Sequence, residues 1–235
     1  QEQLCKALFP IGALEKSEVR EIALKHDLVT ATKKDSQGLC FVGKIALPTF
    51  LQQQLAPKQG NVMEIPMDMP QFLAYAHIPR DEEHIEQLAA PFEYQESDGQ
   101  KVTTHQGAHY YTVGQRKGLH IGGRPEPSFV IGINTETNSV YSGQTDEHPG
   151  LNRIALKLEA STLNWIIRSE VFDAENRLKC QMRIRYRQAL QSGTLIKKNE
   201  EYYILFNDLQ KGITPGQFAA WYQDGVLIGS AVIEH

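Results

Sequence analysis

Cysteine is scarce in this sequence. Only Cys5, Cys40 and Cys180 occur among 235 residues, and they are widely separated. Three scattered cysteines are too few for a disulfide framework or a zinc site, so both are excluded and we predict no metal. A chain without structural disulfides suits a reducing compartment, and we therefore expect a cytoplasmic protein.

Long apolar runs are also absent. No stretch approaches the roughly 20 apolar residues that span a bilayer, so no membrane partner is predicted. The opening residues, Gln1-Glu2-Gln3-Leu4, lack the basic region and apolar core of a secretory signal. An initiator methionine is missing too, and we expect a piece of a longer protein. The content of 41% hydrophobic and 22% charged residues is that of an ordinary soluble domain.

An excess of positive charge is the third absence. The formal net charge is −4, which by itself does not indicate a nucleic-acid binder. The charge is unevenly spread, however: the acid-rich segment 81–96 contrasts with Arg183, Arg185 and Arg187. Local patches matter more than the sum when a polyanion binds, so nucleic-acid binding stays open.

The apolar pattern divides the chain into three regions. Residues 1–55 are mostly helical, in three pieces that bury too little alone and indicate the trailing part of a larger α/β domain. Residues 56–152 are β-rich, with strands at 60–65, 108–113 and 128–133, a hairpin partner at 140–141 and an aperiodic insertion at about 67–103. Residues 153–235 contain six short strands, which predict a small closed barrel. The fold class is therefore α+β and multidomain.

Cys40 lies in the stretch 33–43, between Gly38 and Gly43 and just after Lys33 and Lys34. Glycines let the backbone approach a ligand closely, and nearby ammonium groups favour thiolate over thiol. A thiolate is what nucleophilic sulfur chemistry requires. The alternative interpretation is a small buried hydrophobic residue, which is what most free cysteines are.

A glycine-rich loop follows at 114–123. It has four glycines in ten residues around Arg116 and Lys117. Backbone amides and cations in such a loop can meet phosphates, although the spacing fits neither GxGxxG nor Walker A. A corner between strands with solvated charges is the alternative.

Arg183, Arg185 and Arg187 alternate along a predicted strand. On a strand all three would project from one face, about 7 Å apart, which matches the phosphate spacing of a single nucleic-acid strand. Gln188 and the nearby turn 213–217, which includes Gln217, add polar groups that could reach RNA. A solvated sheet face remains the alternative.

Three motifs occur in order, at 33–43, 114–118 and 185–188, with further matches at 8–12, 146–149 and 214–217. With these motifs the chain resembles the tRNA-uridine 2-sulfurtransferases, the MnmA or TrmU family. The resemblance covers nearly the whole chain except 67–103. It implies that 1–55 is the C-terminal part of a PP-loop ATPase/sulfurtransferase domain, and that 153–235 is a tRNA-binding β-barrel.

The resemblance also implies a reaction and its residues. The family uses ATP as co-substrate to activate C2 of the wobble uridine in tRNA, and a protein persulfide then delivers sulfur. By this match Cys40 would carry the persulfide, and the tRNA contacts would be Arg185, Tyr186 and Gln217, with Lys33, Lys34, Arg116 and Lys117 as further candidates. Besides tRNA, the implied partner is a sulfur-donor or sulfur-relay protein.

Two departures from the family pattern leave rival hypotheses. The chain has no Ser-Gly-Gly-Val-Asp-Ser loop for ATP pyrophosphate, and neither Cys5 nor Cys180 matches the family's second, resolving cysteine. The basic residues that usually follow the cysteine motif are replaced by Ile45-Ala46-Leu47-Pro48. This chain alone should therefore not activate RNA. The rivals are a catalytically incompetent RNA-binding module, in which Cys40 is only structural, and a thiol-based sulfur carrier without RNA.

Overall fold

The computed structural model describes residues 6–33, 55–166, 172 and 175–234. The chain divides into two compact units, Gln1–Gln54 and Leu55–His235. The described part of the first unit contains helix α1, Lys16–Lys25. Glu15 caps this helix, because its backbone N–H donates to Oε2 of Glu18 at 2.6 Å. The third predicted helical piece, apart from Leu55, lies outside the described residues.

The second unit begins with a mixed four-stranded sheet. Its strands are β1 (Gly60–Glu64), β2 (Gln100–His105), β3 (Ser128–Asn134) and β4 (Ser139–Gln144), in the order β2-β1-β4-β3. β1 pairs antiparallel with β2 and parallel with β4, and β3 pairs antiparallel with β4. The predicted strands near 60–65 and 128–133 and the hairpin partner near 140 are confirmed.

Both faces of this sheet are covered, because side chains alternate between them along each strand. One face carries Met63, Ile131 and Tyr141, packed with Phe72 and Leu151. The opposite face is formed by Val62, Val130 and Val140, and it packs against Ala108 and Leu119 of the connecting segment 106–127. Leu119 therefore anchors the glycine-rich loop to the sheet. The strand predicted at 108–113 is wrong, since Ala108–Tyr110 form a 3₁₀ turn.

The segment 67–103, treated above as an insertion, contributes to both cores of the second unit. It contains α2 (Pro70–Ala76), α3 (Ile85–Ala89), a 3₁₀ turn at Glu96–Asp98 and part of β2. Phe72 of α2 is buried against the mixed sheet. Ile85 and Leu88 of α3 pack with Ile154 of the following sheet. The segment thus ties the two sheets of this unit together.

The rest of the second unit is a barrel-like antiparallel sheet of seven strands. In chain order they are β5 (Asn152–Leu158), β6 (Asn164–Trp165), β7 (Arg177–Arg183), β8 (Gln191–Lys198), β9 (Glu201–Lys211), β10 (Phe218–Gln223) and β11 (Val226–Val232). The strand order is β5-β9-β8-β7-β10-β11-β6. The additional strand relative to the six predicted is the two-residue β6, which is too short to show an alternating pattern.

The sheet curves back on itself, so that edge strand β5 meets the end of β11. Leu158, at the end of β5, forms an antiparallel bridge with Ile233, just after β11. The backbone N–H of Glu159 donates to Val232 at 2.9 Å, and that of Glu234 donates to Lys157 at 3.0 Å. The enclosed interior is filled by apolar side chains of the inward-facing set, namely Leu156, Leu158, Met182, Leu195, Ile204, Phe206, Trp221 and Ile228.

The hairpin predicted from Asp224-Gly225 is confirmed. The two residues connect β10 to β11, with φ of 49° at Asp224 and 77° at Gly225. Positive φ at both central residues is the pattern of the type I′ turn, whose twist matches that of the flanking strands.

Candidate nucleic-acid interface

The arginines of 183–187 do not lie on one strand, so the predicted row of three guanidinium groups is wrong. β7 ends at Arg183, and the chain then turns. Gln188 closes the turn, because its backbone N–H donates to Arg185 at 3.1 Å and its Oε1 accepts from the N–H of Ile184 at 3.0 Å. The three arginines therefore have different environments.

Arg185 is half-buried between two glycines. Its Nη2 donates to the carbonyl oxygen of Gly212 at 2.5 Å. A Cβ built on Gly114 would lie 3.1 Å from the same Nη2 atom, and φ of Gly114 is +86°. Only glycine combines that backbone conformation with such a close approach. Arg185 therefore joins the glycine-rich loop of the mixed sheet to the turn that follows β9.

The Tyr186 side chain is exposed to solvent, and a hydrogen bond holds its backbone in place. The side chain is 88% exposed, and its carbonyl accepts a hydrogen bond from Nη1 of Arg183 at 3.1 Å. The Arg183 guanidinium also lies 5.8 Å from the ring centre of Tyr222, within cation–π range. Arg187 is exposed beside Tyr186. An aromatic ring and a cation thus project together from this turn.

The glycine-rich loop presents two exposed cations, Arg116 and Lys117. Gln115 shapes the loop from within: its Oε1 accepts from Thr112 at 3.1 Å, and its Nε2 donates to the carbonyl of Lys117 at 2.8 Å. On the far side of the loop, Arg124 forms an ion pair with Glu64 of β1 at 2.9 Å. Arg116 and Lys117 therefore project from a loop whose backbone is held by hydrogen bonds.

The turn 212–217 completes the surface. Oγ1 of Thr214 lies 3.5 Å from the carbonyl oxygen of Val113 and 3.0 Å from that of Gly212. The carbonyl of Gln217 accepts from the N–H of Ile233 at 2.8 Å, which fixes the backbone of a partly exposed residue. The turn, Arg185 and the loop at 114–118 are thereby brought together.

A cleft of about 670 Å³ opens beside this turn. The residues that line it come from both sheets and include Phe92, Tyr111, Ile131, Arg153 and the turn Gly212 to Gln217. Sequence reasoning missed Gly212 and Arg153. Gly212 directly precedes the predicted turn and carries the signal of a glycine at a strand end, whereas Arg153 is a single arginine before an apolar strand and carries none.

The remaining candidates fall elsewhere. Cys40 and Lys34 lie outside the described residues, as does Cys5. Lys33 is exposed in the first unit. Cys180 lies on β7, where burial raises the pKa of its thiol to about 12. It is therefore a neutral thiol at physiological pH and a poor nucleophile.

The motif at 146–149 has a structural role. His148 is fully buried; its Nδ1 accepts from the N–H of Gly150 at 3.1 Å, and its Nε2 lies 3.1 Å from the carbonyl oxygen of Ile65. An N–H group can only donate, so the proton of the neutral ring is on Nε2 and is donated to Ile65. Burial lowers the pKa of His148. The neutral ring connects the chain before β5 to the end of β1.

Two kinds of site are absent from the part of the chain that the structure describes. No three His, Cys, Asp or Glu side chains converge there to hold a metal ion. Among the helices of residues 6–33, 55–166 and 175–234, none is both long and apolar enough to cross a bilayer.

Comparison with domain families divides the chain in three. Residues 1–44 match the tRNA methyl transferase HUP domain, 79–144 the tRNA methyl transferase PRC-barrel domain, and 156–233 the aminomethyltransferase beta-barrel domain. The fold and these matches define a multidomain protein that combines part of a HUP domain with a PRC-barrel domain and a C-terminal beta-barrel domain.

Curated relatives agree over almost the whole chain. A tRNA-specific 2-thiouridylase MnmA of Christiangramia forsetii is 49% identical over 234 residues, covering 99% of this chain and 59% of the relative. The protein of the same name in Flavobacterium johnsoniae is 47% identical with the same coverage, and that of Halalkalibacterium halodurans is 39% identical over 236 residues and 54% of its length. The chain belongs to the MnmA family of tRNA-specific 2-thiouridylases. It spans 59% of the length of the first two relatives.

Proposed function

We propose that this chain is the C-terminal part of a sulfurtransferase that thiolates C2 of the ATP-activated wobble uridine in tRNA. The observation that carries the proposal is its 49% identity, across 99% of its length, to a protein named tRNA-specific 2-thiouridylase. We assign ATP binding to no residue of this sequence, because it does not contain the family's pyrophosphate-binding loop.

Cys40 carries the persulfide in this proposal. A persulfide has a lower pKa than a thiol and a nucleophilic terminal sulfur, and Lys33 and Lys34 would stabilise its anion. Cys180 is unsuited to this role, because burial raises the pKa of its thiol to about 12. A sulfur-donor or sulfur-relay protein supplies the sulfur, and the reaction takes place in the cytoplasm.

The tRNA contacts in this proposal are Arg185, Tyr186 and Gln217, with Lys33, Lys34, Arg116 and Lys117 as further candidates. Two different properties support them. Arg116, Lys117 and Tyr186 are exposed and free to meet phosphates or bases. Arg185 is held against Gly212 at 2.5 Å, so it contributes by joining the two surfaces as well as by its charge.

The domain organisation follows the same proposal. Residues 1–55 end a PP-loop ATPase domain as a helical tail, 56–152 form the central β-rich domain, and 153–235 form the six-stranded tRNA-binding barrel. The bridge between Leu158 and Ile233 supports closure of the six long strands, with β6 as an addition at one side.

The sulfur assignment is tested by intact mass spectrometry after exposure to a persulfide donor. The chain should gain one sulfur atom that is removed by a reductant, and Cys40→Ser should abolish the gain. Cys180→Ser is the matched control and should behave as the parent chain. If Cys40→Ser keeps the added sulfur, the assignment of Cys40 is wrong.

The RNA assignment is tested by titrating unmodified tRNA at several salt concentrations. Each lost phosphate contact should reduce the slope of log affinity against log salt by roughly one, so Arg116→Ala and Lys117→Ala should each flatten it. Lys197→Ala is the control, because Lys197 is not one of the proposed contacts. Its Nζ atom forms an ion pair with Oε1 of Glu200 at 2.9 Å. An absence of tRNA binding at any salt concentration would favour a sulfur carrier that does not use RNA.

A further inference from the structure

The cleft beside the turn 212–217 contains a cation that the protein does not neutralise. Arg153 lines the cleft at the start of β5. Its Nη1 donates to the carbonyl oxygen of Ala89 at 2.9 Å. Among the described residues no carboxylate forms an ion pair with it, and the ionisable groups that act on it are the phenols of Tyr75 and Tyr94. Burial lowers the pKa of Arg153, as expected for a cation without an anion nearby.

The unused donors of Arg153 are accessible. A guanidinium group has five N–H donors, and the described residues take one of them. No Arg153 nitrogen is among the enclosed polar atoms that lack a partner, so the remaining donors face space that solvent or a ligand can enter. An anion that reaches these open donors would form charge-assisted hydrogen bonds with them, which are stronger than hydrogen bonds between neutral groups.

The rest of the cleft suits a flat ring. Its walls include the aromatic side chains of Phe92, His109 and Tyr111 together with apolar Ile131 and Ile213. Its volume of about 670 Å³ falls in the range of small-ligand sites. Aromatic walls beside a cation are the combination that single-stranded nucleic acids use, with bases stacked on rings and phosphates on arginine.

We propose that this cleft binds one nucleotide of the bound RNA, with its phosphate on Arg153 and its base against the aromatic wall. This inference rests on the proposed function. Gly212 links the cleft to the interface described above, because it lines the cleft and accepts the hydrogen bond of Arg185. The cleft therefore extends the RNA surface into the junction of the two sheets.

The test compares three probes on this chain: uridine 5′-monophosphate, uridine and inorganic phosphate. The monophosphate should bind at least ten times more tightly than either of the others, because it alone satisfies both parts of the cleft. If inorganic phosphate binds as tightly as uridine 5′-monophosphate, the assignment of a base-binding wall is wrong. If uridine binds as tightly as the monophosphate, the role of Arg153 in binding the phosphate is wrong.

Arg153→Met separates a binding role from a structural one. Arg153 is partly buried and forms no ion pair among the described residues, so replacing it by an apolar side chain of similar length removes a desolvated charge without leaving a carboxylate unpaired. We expect this variant to unfold at the parental denaturant concentration or above it, yet to bind the monophosphate at least ten times more weakly. Lower stability with unchanged nucleotide binding would show that Arg153 serves only to hold Ala89. Lys197→Met is the control for loss of one positive charge.

A second variant keeps the inference testable if Arg153→Met fails to fold. Thr135 is exposed at the rim of the cleft, so Thr135→Trp should fill the opening without disturbing a core. It should weaken binding of the monophosphate and of tRNA. If Thr135→Trp weakens binding of the monophosphate but not of tRNA, the ligand of the cleft is a free nucleotide and the RNA assignment is wrong. Normal tRNA binding without any monophosphate binding would remove this inference and leave the proposed function standing.

Discussion

Nη2 of Arg185 lies 2.5 Å from the carbonyl oxygen of Gly212, and these two residues come from different turns of the barrel-like sheet. The same guanidinium group packs against Gly114 of the mixed sheet. One side chain therefore links its own turn to two other segments, and a change in any of the three moves it. This arrangement makes the interface sensitive to glycine substitutions that remove no charge.

Gly212→Ala should destabilise the protein and weaken RNA binding together. Gly212 has φ of +62°, and an added Cβ would collide with Nη2 of Arg185. The backbone strain alone costs roughly 1–2 kcal/mol, and displacement of Arg185 adds to it. Urea unfolding and tRNA titration measure the two effects.

Gly216→Ala is the matched control for that substitution. Gly216 also has a positive φ, +79°, but nothing lies within 4 Å of its added Cβ. It should show only the backbone strain, so Gly212→Ala should cost more in the free energy of unfolding. Equal costs would mean that Arg185 moves aside freely and that its contact with Gly212 contributes little.

Tyr186→Ala should weaken RNA binding without changing stability. The ring is 88% exposed, so its removal leaves no cavity. Base stacking on an aromatic side chain contributes about 1–3 kcal/mol, which predicts a loss of roughly 5- to 150-fold in affinity for tRNA. Leu73→Ala, at another exposed apolar position, is the control and should not alter binding. Unchanged affinity in Tyr186→Ala would remove Tyr186 from the proposed interface.

The stability of the second unit should fall as the pH drops below about 6.5, the ordinary pKa of histidine. Burial lowers the pKa of both His148 and His105 in the folded protein. Between the lowered folded pKa and the unfolded pKa, the unfolded chain binds more protons, so stability rises with pH and is fully present above that window. Urea unfolding between about pH 5 and about pH 7.5 measures the slope.

One variant identifies the source of that slope. His148→Gln should reduce it, leaving the part that His105 contributes. A direct check is the titration of the His148 ring by NMR, which should give a pKa below the ordinary histidine value of about 6.5. A normal His148 titration would contradict the buried neutral ring described here.

Trp221→Phe should cost far less than Trp221→Ala. Trp221 is fully buried in the barrel-like sheet, and its Nε1 has no hydrogen-bond partner among the described residues. Truncation to alanine leaves a large cavity and costs about 3–5 kcal/mol. Phenylalanine keeps most of the packing contacts of Trp221. It also removes the unsatisfied indole N–H, which offsets part of the stability lost with the smaller ring. Chemical denaturation of both variants measures the difference, and similar costs would indicate that the indole N–H is bonded in solution.

Several elements of the fold could be predicted from the sequence because their signals are local. Alternation identified the strand near 60, the turn that follows 128–133 identified the partner strand near 140, and the Asp224-Gly225 pair identified a hairpin. The strand predicted at 108–113 was wrong, although the aromatic and β-branched residues of this stretch favour a strand. Its side chains instead cover a sheet, with Ala108 and Tyr111 packed against Val62 and Val140.

The candidate site was only partly predictable. The glycines around Arg116 and Lys117 correctly indicated a loop with displayed cations. Alternating arginines predicted one continuous face, but Gln188 closes a turn that ends the strand at Arg183. The partner of Arg185 is a backbone carbonyl at Gly212, and a carbonyl leaves no trace in a sequence pattern. Arg153 was missed for a related reason, since its surroundings come from segments distant in the chain.

The meeting of Leu158 with Ile233 has a consequence for how the second unit acquires its structure. These residues stand at opposite ends of the region that forms the barrel-like sheet, so their pairing must close a long loop and gains little until the intervening hairpins have assembled. Such distant pairing slows folding. The seam between β5 and the end of β11 should therefore be the last part to form during refolding, and the whole sheet should then become protected from exchange in one cooperative step.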